Sequence, residues 1–125
     1  MIQPITQPNI SFGYSSILKT EWRKGNLPTV INDVYGEVLE DATIEHFIPK
    51  SLGGKSNICN YGLANKVTNE ARSNKPLLEF TTKENLVNWF NQFIGVKTKN
   101  FDGEEYIKNA TKYLKKNGIN LDIKV

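Results

Sequence analysis

The centre of the chain has the pattern of two short strands joined by a glycine loop. Residues 42–48 are rich in β-branched and aromatic side chains and predict a strand that Pro49 ends. Gly53 and Gly54 follow among polar residues, which is the composition of a tight loop. Residues 58–64 are then expected to form the return strand, so this part of the chain is predicted to be a β-hairpin.

A short helix is predicted directly after the hairpin. Asn65 can cap a helix that runs towards Ser73. Pro76 disfavours helical backbone at the residue before it, so the helix must end by that point. The order strand, loop, strand and helix is therefore expected over residues 42–75.

Two further helices are predicted in the C-terminal half. Thr81 with Glu84 three residues later is a capping box, and Gly95 is the stop signal of the helix that follows. A last helix is expected from Glu104 to Asn117, with Gly118 directly after it. Both helices carry apolar side chains at helical spacing, which are expected to pack in the core: Leu86, Trp89, Phe90, Phe93, Ile107, Ala110 and Leu114.

The N-terminal region is expected to be less regular. A serine, Ser15 or Ser16, begins a short predicted helix that reaches Lys24. Residues 29–39 are β-branched and aromatic but broken by polar residues and glycine, so short strands or a small hairpin are expected. Residues 1–14 contain two prolines and are predicted to be an extended arm.

A single cysteine, Cys59, limits how this 125-residue chain can be stabilised. It excludes an internal disulfide and any zinc site that needs two or more thiolates. Hydrophobic residues make up 38% of the chain, so one core can be buried by packing, and the length fits one domain. The net charge of +3 permits a polyanionic partner without requiring one.

His46, the only histidine, is the natural candidate for acid–base chemistry. An imidazole titrates near neutral pH and can accept a proton from water, although one histidine beside apolar residues is by itself more often structural. Its neighbours favour the functional interpretation. Glu45 offers a hard carboxylate oxygen for Mg²⁺ or a similar cation, and the amide oxygen of Asn69 can be a second ligand. Two protein ligands leave room for water and phosphate oxygens, which phosphodiester cleavage requires.

Residues 43–75 resemble the HNH endonuclease motif, whose fold is the ββα-metal or His-Me finger. The likeness rests on the acidic residue directly before His46, a proline three residues after it, the glycine loop, Asn60 and Asn69. It implies that His46 is the general base and that Glu45 and Asn69 bind the metal. It also implies that Asn60 holds the loop so that His46 is correctly oriented.

The resemblance implies an α+β fold. A two-stranded hairpin and a metal-binding helix would form the ββα-metal core and pack on flanking N- and C-terminal helices. One domain is expected over residues 1–125, divided into an extended arm (1–14), an N-terminal helix with short strands (15–41), the ββα-metal core (42–75) and C-terminal helical support (76–125).

The chain also departs from the commonest form of the family. Glu45 and Asn69 stand where aspartate and histidine are commoner, and the zinc-binding cysteine pairs of many members are missing. No structural zinc is therefore expected, and packing must hold the domain. Adjacent residues of a regular strand point to opposite faces, so Glu45 and His46 cannot both point straight at one metal. A phosphate lying across the strand or a local distortion would reconcile them.

Basic side chains surround the motif and are candidates to bind the phosphates of a nucleic acid. Arg72 is the leading one, because it lies three residues after Asn69 on the same predicted helix face. The full set is Lys50, Lys55, Lys66, Arg72 and Lys75. A further basic face on the last helix fits a solvated surface better, and it consists of Lys108, Lys112, Lys115 and Lys116.

The sequence therefore predicts a metal-dependent endonuclease that hydrolyses phosphodiester bonds, with DNA as the expected substrate and Mg²⁺ or Mn²⁺ as the cofactor. One such site cuts one strand, so double-strand cleavage would need a homodimer or a partner protein. The alternatives are a non-catalytic nucleic-acid or protein binding module on the same fold and an RNA-cleaving effector of a phage-defence or toxin system. No signal peptide or membrane span is predicted, and a bacterial or phage-encoded cytoplasmic protein is expected.

Overall fold

A computed structural model describes residues 17–123 of the chain. Within this range the protein combines four α-helices with one two-stranded antiparallel sheet, a mixed composition that agrees with the expected α+β class. The elements are α1 (Ile17–Arg23), β1 (Ala42–His46), β2 (Tyr61–Asn65), α2 (Lys66–Arg72), α3 (Lys83–Asn91) and α4 (Gly103–Lys116). The predicted arm over residues 1–14 lies outside the described residues. None of the helices in residues 17–123 is long and apolar enough to cross a membrane.

Strands β1 and β2 form the predicted hairpin, in which Glu45 pairs with Gly62 and His46 with Tyr61. The sequence pattern predicted that β1 would continue to Ile48, but the strand ends at His46. The reason is that the backbone N–H and C=O of Ile48 bond to the side chain of Asn60 instead of to the opposite strand, at 2.8 and 2.9 Å.

The return strand also begins later than predicted. Residues Ile58–Asn60 form a turn of 3₁₀-helix, and β2 starts at Tyr61. The side chain of Asn57 accepts a hydrogen bond from the Cys59 backbone N–H at 2.9 Å and begins this turn. A local side-chain bond therefore replaces three residues of strand pairing.

Helix α2 follows β2 directly and has nearly the predicted length. Asn65 occupies the predicted N-cap position, but its side chain does not cap the helix. Its amide oxygen instead accepts from the backbone N–H groups of Glu40 and Asp41, and its amide nitrogen donates to the Val38 carbonyl. Asn65 thus fastens the preceding segment to the start of α2.

Of the short strands or small hairpin expected within residues 29–39, no regular strand forms. A single antiparallel bridge joins Asn32 and Val38, and a turn lies between them. The buried carboxylate of Asp33 accepts from the backbone N–H groups of Tyr35 and Glu37, both at 2.9 Å. Side-chain bonding by Asp33 outweighs the β propensity of its neighbours and holds Tyr35 against the core.

The two C-terminal helices are close to their predicted positions, with one error in capping. Thr82 caps α3 by accepting from the Asn85 backbone N–H at 3.0 Å, whereas Thr81 donates to the Val34 carbonyl at 2.8 Å. The N-cap therefore lies one residue later than predicted, and the predicted capping box does not form, because the side chain at the third helical position, Asn85, donates to the Tyr35 carbonyl. Helix α4 begins after Asp102, whose side chain accepts from the backbone N–H groups of the first turn.

An aromatic cluster joins α3 and α4 to the hairpin. The rings of Phe47 and Phe90 lie 5.7 Å apart between centroids. The indole N–H of Trp89 donates to the hydroxyl of Tyr106 at 3.0 Å, and that hydroxyl donates to the Tyr61 carbonyl. The predicted core side chains of both helices are at most 1% exposed. Packing of α3 and α4 therefore supports the hairpin, as predicted.

The glycine loop has a clear steric basis. Gly53 has φ of +90°, the left-handed region that glycine adopts most easily. A Cβ at Gly54 would lie 1.8 Å from the backbone oxygen of Ile48, so no side chain fits there without moving the main chain.

We expect Gly54→Ala to lower the free energy of unfolding by about 3 kcal/mol or more, since its Cβ overlaps the main chain. Gly53→Ala is the matched control, because its Cβ meets only open space and costs about 1–2 kcal/mol through its positive φ. Urea unfolding of both variants measures the difference. Equal losses would contradict the close approach of Gly54 to Ile48.

Candidate nuclease site

A cavity of about 340 Å³ lies at the end of the hairpin beside α2. Glu45 and His46 line it from β1, and Asn69 lines it from α2. Its other walls are Pro49, Lys50, Ser51, Ser73 and Asn74. The tertiary structure thus brings together at one cavity the three side chains that the sequence assigned to the base and to the metal.

His46 is the last residue of β1 and is half-buried. Its ring packs against the ring of Tyr61, 4.8 Å away between centroids and nearly edge-on. Burial lowers the pKa of His46 below its ordinary value of 6.5, and the positive charges of Lys50 and Arg72 lower it further. The imidazole is therefore neutral at pH 7 and has a nitrogen ready to accept a proton.

Glu45 is almost fully buried, with 3% of its surface exposed. One carboxylate oxygen lies 3.3 Å from a guanidinium nitrogen of Arg72, and the other accepts a hydrogen bond from the hydroxyl of Tyr35. The pKa of Glu45 lies above its ordinary value, because burial raises it by more than the bonds to Tyr35 and Arg72 lower it. The guanidinium of Arg72 keeps its charge and so favours the ionised form of this carboxylate.

Arg72 is not the surface phosphate ligand that its helix position suggested. Its side chain is fully buried and donates to the backbone carbonyls of His46 at 2.6 Å, Phe47 at 2.7 Å and Lys75 at 2.8 Å. Together with the ion pair to Glu45, these bonds engage all three guanidinium nitrogens. Arg72 therefore fixes the end of β1 to α2 and is not accessible to a substrate.

The side-chain nitrogen of Asn69 is engaged within the protein, so the oxygen is the end of the amide that is left for a ligand. The amide nitrogen donates to the Thr43 hydroxyl at 2.8 Å and to the Ile44 carbonyl at 3.0 Å. The second partner can only accept, which fixes the orientation of the amide. Among the described residues, no donor bonds to the Asn69 oxygen, so this atom remains available to a ligand.

Asn60 lies beneath the loop and is fully buried. Its side-chain oxygen accepts from the Ile48 N–H at 2.8 Å, and its nitrogen donates to the carbonyls of Ile48 and Lys55, both at 2.9 Å. These are the contacts that a loop-holding role requires. Asn60 does not reach the reacting groups and acts through the backbone that follows His46.

The adjacent positions of Glu45 and His46 do not prevent a shared site. The strand alternation persists, since Glu45 is directed towards Arg72 and the core while His46 packs on Tyr61. Both still contribute to the wall of one cavity, because β1 ends there. The carboxylate and the imidazole therefore border one cavity from the two faces of the strand.

The predicted lysines are distributed over several surfaces. Lys50, Lys55, Lys66 and Lys75 are all exposed. Only Lys50 lines the cavity with His46, whereas Lys75 lies over the ring of Phe80 at 5.4 Å. Lys66 faces a separate cavity with Glu37, Glu40 and Asp41. Of these four lysines, Lys50 is therefore the one that lies beside His46.

Sequence reasoning missed two residues that organise the site. Tyr35 bonds to Glu45 from ten positions earlier in the chain, and no local pattern indicates that contact. Thr43 accepts from Asn69 while donating to the Ala64 carbonyl. Its position two residues before Glu45 places it on the same strand face, which is the one signal that could have identified it.

The donor chemistry fits a hydrated hard cation. Residues 17–123 hold no group of three or more His, Cys, Asp or Glu side chains that could bind a metal. Glu45 and Asn69 would supply two oxygen ligands, and Mg²⁺ commonly keeps several waters beside one or two carboxylates. Arg72 neutralises Glu45, so the affinity of this pair for a cation is expected to be low.

Comparisons of the chain with protein-family models, with curated proteins and with solved structures gave no significant match. The functional interpretation therefore depends on the residues and contacts of this chain. The contacts around Glu45 and His46 lead to two predictions about stability.

We expect Arg72→Met to lower the free energy of unfolding by about 3–5 kcal/mol, because it leaves the buried carboxylate of Glu45 without its partner. Lys66→Met, an exposed change on the same helix, should alter it by about 0.5 kcal/mol or less. Urea unfolding of both variants provides the comparison. A stable Arg72→Met protein with weakened nucleic-acid binding would instead restore Arg72 as a phosphate ligand.

The lowered pKa of His46 makes stability depend on pH. The folded protein takes up a proton on His46 less readily than the unfolded chain does. The stability that depends on a neutral His46 is therefore present above pH 6.5 and is lost as the pH falls through the pKa of His46 in the folded protein. In EDTA, the wild type should therefore lose more stability below pH 6.5 than His46→Gln. The urea unfolding midpoints of both proteins, measured above and below pH 6.5, test this difference. If both midpoints change with pH by the same amount, His46 does not contribute to the pH dependence of stability.

Proposed function

We propose that this protein is a metal-dependent endonuclease of the HNH class that hydrolyses phosphodiester bonds in nucleic acid, with DNA as the substrate to test first. One observation carries the proposal: Glu45, His46 and Asn69 line a single cavity where the hairpin meets α2. A base, a carboxylate and a free amide oxygen in one cavity suit the hydrolysis of a phosphate diester.

The order of elements supports a ββα-metal core. Strand β1, the glycine loop, β2 and α2 follow one another in the sequence that the HNH motif implies. The motif residues lie at the corresponding places, with His46 at the end of β1, Asn60 before β2 and Asn69 in α2. We therefore assign residues 42–75 to this core.

In this proposal His46 is the general base. Its neutral imidazole takes a proton from a water molecule while the water oxygen bonds to phosphorus and the bond from phosphorus to the 3′ oxygen breaks. The departing 3′ oxygen takes up a proton from solvent, which leaves a 5′-phosphate and a 3′-hydroxyl end. Lys50 lines the same cavity, and its ammonium group would attract the substrate phosphate. Asn60 keeps the loop after His46 in place through three bonds to the backbone.

Glu45 and Asn69 would hold the divalent cation through oxygen atoms. Such a cation would supply positive charge that stabilises the negative charge on the phosphate and on the leaving oxygen. Thr43 and Ile44 engage the side-chain nitrogen of Asn69, so the oxygen is the end of the amide that is left for a ligand. Tyr35 and Arg72 hold the Glu45 carboxylate at the cavity wall.

One observation favours a second candidate function, a binding module without turnover on the same fold. Both oxygens of Glu45 already have partners within the protein, in Arg72 and Tyr35. A carboxylate has further lone pairs, so these bonds do not exclude a cation. They do make the carboxylate a weaker ligand, and metal dependence is the property that separates the two functions.

We expect the purified protein to nick supercoiled plasmid DNA with Mg²⁺ or Mn²⁺ and not with EDTA. His46→Ala should slow nicking by about 100-fold or more, since it removes the general base. Lys83→Ala is the control, because Lys83 is exposed at the start of α3 and lines none of the cavities described above.

Cleavage that persists in EDTA or in folded His46→Ala would contradict the assigned site. If DNA is not cut, the same assay with RNA tests the alternative substrate. If neither polymer is cut while wild-type protein still binds nucleic acid, the binding module replaces the nuclease as the proposed function.

A further inference from the structure

A second cavity lies between the turn before β2 and helix α4. Its volume is about 300 Å³. The loop and the turn contribute Lys55, Asn57 and Cys59, and α4 contributes Asn109, Lys112 and Lys116. We call this cavity the basic groove. It shares no lining residue with the cavity at His46.

The groove carries positive charge without a counter-ion. Its charged lining residues are all lysines, and none of the three forms a salt bridge within residues 17–123. Burial raises the pKa of the Cys59 thiol, so this side chain adds no negative charge at neutral pH. By contrast, the cavity at the start of α4 holds Asp102, Glu104 and Glu105 beside one lysine.

Helix geometry holds two of these lysines side by side. Lys112 and Lys116 are four residues apart in α4, so their side chains leave the helix on the same face. Like charges at this spacing repel each other and destabilise a helix slightly. An anion between them removes that repulsion. The amide groups of Asn57 and Asn109 add neutral hydrogen-bonding groups to the same walls.

The loop connects the groove rigidly to the candidate nuclease site. The backbone N–H of Lys55 donates to the hydroxyl of Tyr113 in α4 at 3.0 Å, and its carbonyl accepts from Asn60 at 2.9 Å. The ammonium group of Lys55 lies 5.5 Å from the centre of the Tyr113 ring. Asn60, which holds the loop after His46, therefore also holds the backbone of Lys55 in place.

The chain length between the two cavities limits the distance between the Cα atoms of Lys50 and Lys55. Lys50 lines the cavity at His46 and Lys55 lines the groove. Five residues span at most about 17 Å when fully extended. Successive phosphates of one strand in duplex DNA advance by about 3.4 Å, so this span corresponds to roughly five phosphates.

We propose that the basic groove binds the phosphodiester backbone of the nucleic acid within about five phosphates of the bond that is cut. This inference rests on the proposed function in treating that nucleic acid as the substrate. The groove recognises the phosphate charge and not the bases. It therefore adds affinity and fixes the register of the strand while leaving sequence preference unchanged.

The test compares two double variants with the same net charge. Lys112→Ala with Lys116→Ala removes the groove cations, and Lys83→Ala with Lys99→Ala removes two exposed lysines that do not line it. Binding to short fluorescent DNA and RNA is measured in EDTA at several salt concentrations, so that no cleavage occurs. The groove variant should bind roughly tenfold more weakly, with a salt slope lower by about 2, and the control should match the wild type.

The outcomes separate this inference from the proposed nuclease activity. Loss of affinity in the groove variant supports the inference even if no plasmid is nicked, and comparison of the DNA and RNA arms shows which polymer is bound. Unchanged affinity and salt slope would overturn it even if nicking is efficient. It is also overturned if poly-glutamate, but no nucleic acid, binds in a manner that depends on Lys112 and Lys116.

Discussion

The buried guanidinium of Arg72 is the contact on which the centre of this protein depends. It reaches from α2 to the end of β1, where it pairs with Glu45 and binds the carbonyls of His46 and Phe47. It also binds the carbonyl of Lys75, beyond the end of its own helix. Removing either charge would leave the other buried without a partner, which costs far more than the pair gains. The ion pair therefore enforces one arrangement of strand and helix.

The same contact shapes the chemistry available to the cavity. Burial lowers the pKa of His46, and the positive charges of Lys50 and Arg72 lower it further, so the imidazole is neutral and able to accept a proton. Arg72 also offsets the charge of Glu45, which weakens that carboxylate as a metal ligand. Arg72 thus contributes both to the neutral state of the imidazole and to the weakness of the carboxylate as a metal ligand. Helix α4 joins this arrangement through Tyr113, which holds the loop at Lys55 and brings the basic groove into a fixed relation to His46.

Much of the fold could be predicted from the sequence because local signals coincide with it. Apolar periodicity identified the helices that pack Trp89 and Ile107 in the core, and the glycine loop identified the hairpin. The secondary-structure prediction was wrong where a polar side chain can form hydrogen bonds with more than one backbone group. Asp33 prevents strands in residues 29–39, and Thr81 bonds to Val34 while Thr82 caps α3. Such choices depend on residues that are distant in sequence.

The sequence by itself determined the candidate chemistry, since one histidine, its acidic neighbour and two asparagines occur at the spacing of a known motif. It also determined that packing must hold the domain, because one cysteine cannot build a disulfide or a thiolate zinc site. Only the tertiary structure decided the role of Arg72 and the partners of Glu45. Helical spacing places Arg72 on the face of Asn69, but whether that face meets solvent or a buried carboxylate depends on what packs against it. Burial is a property of the assembled fold. Because Arg72 is buried, it pairs with Glu45 inside the protein and is not the phosphate ligand that the sequence predicted.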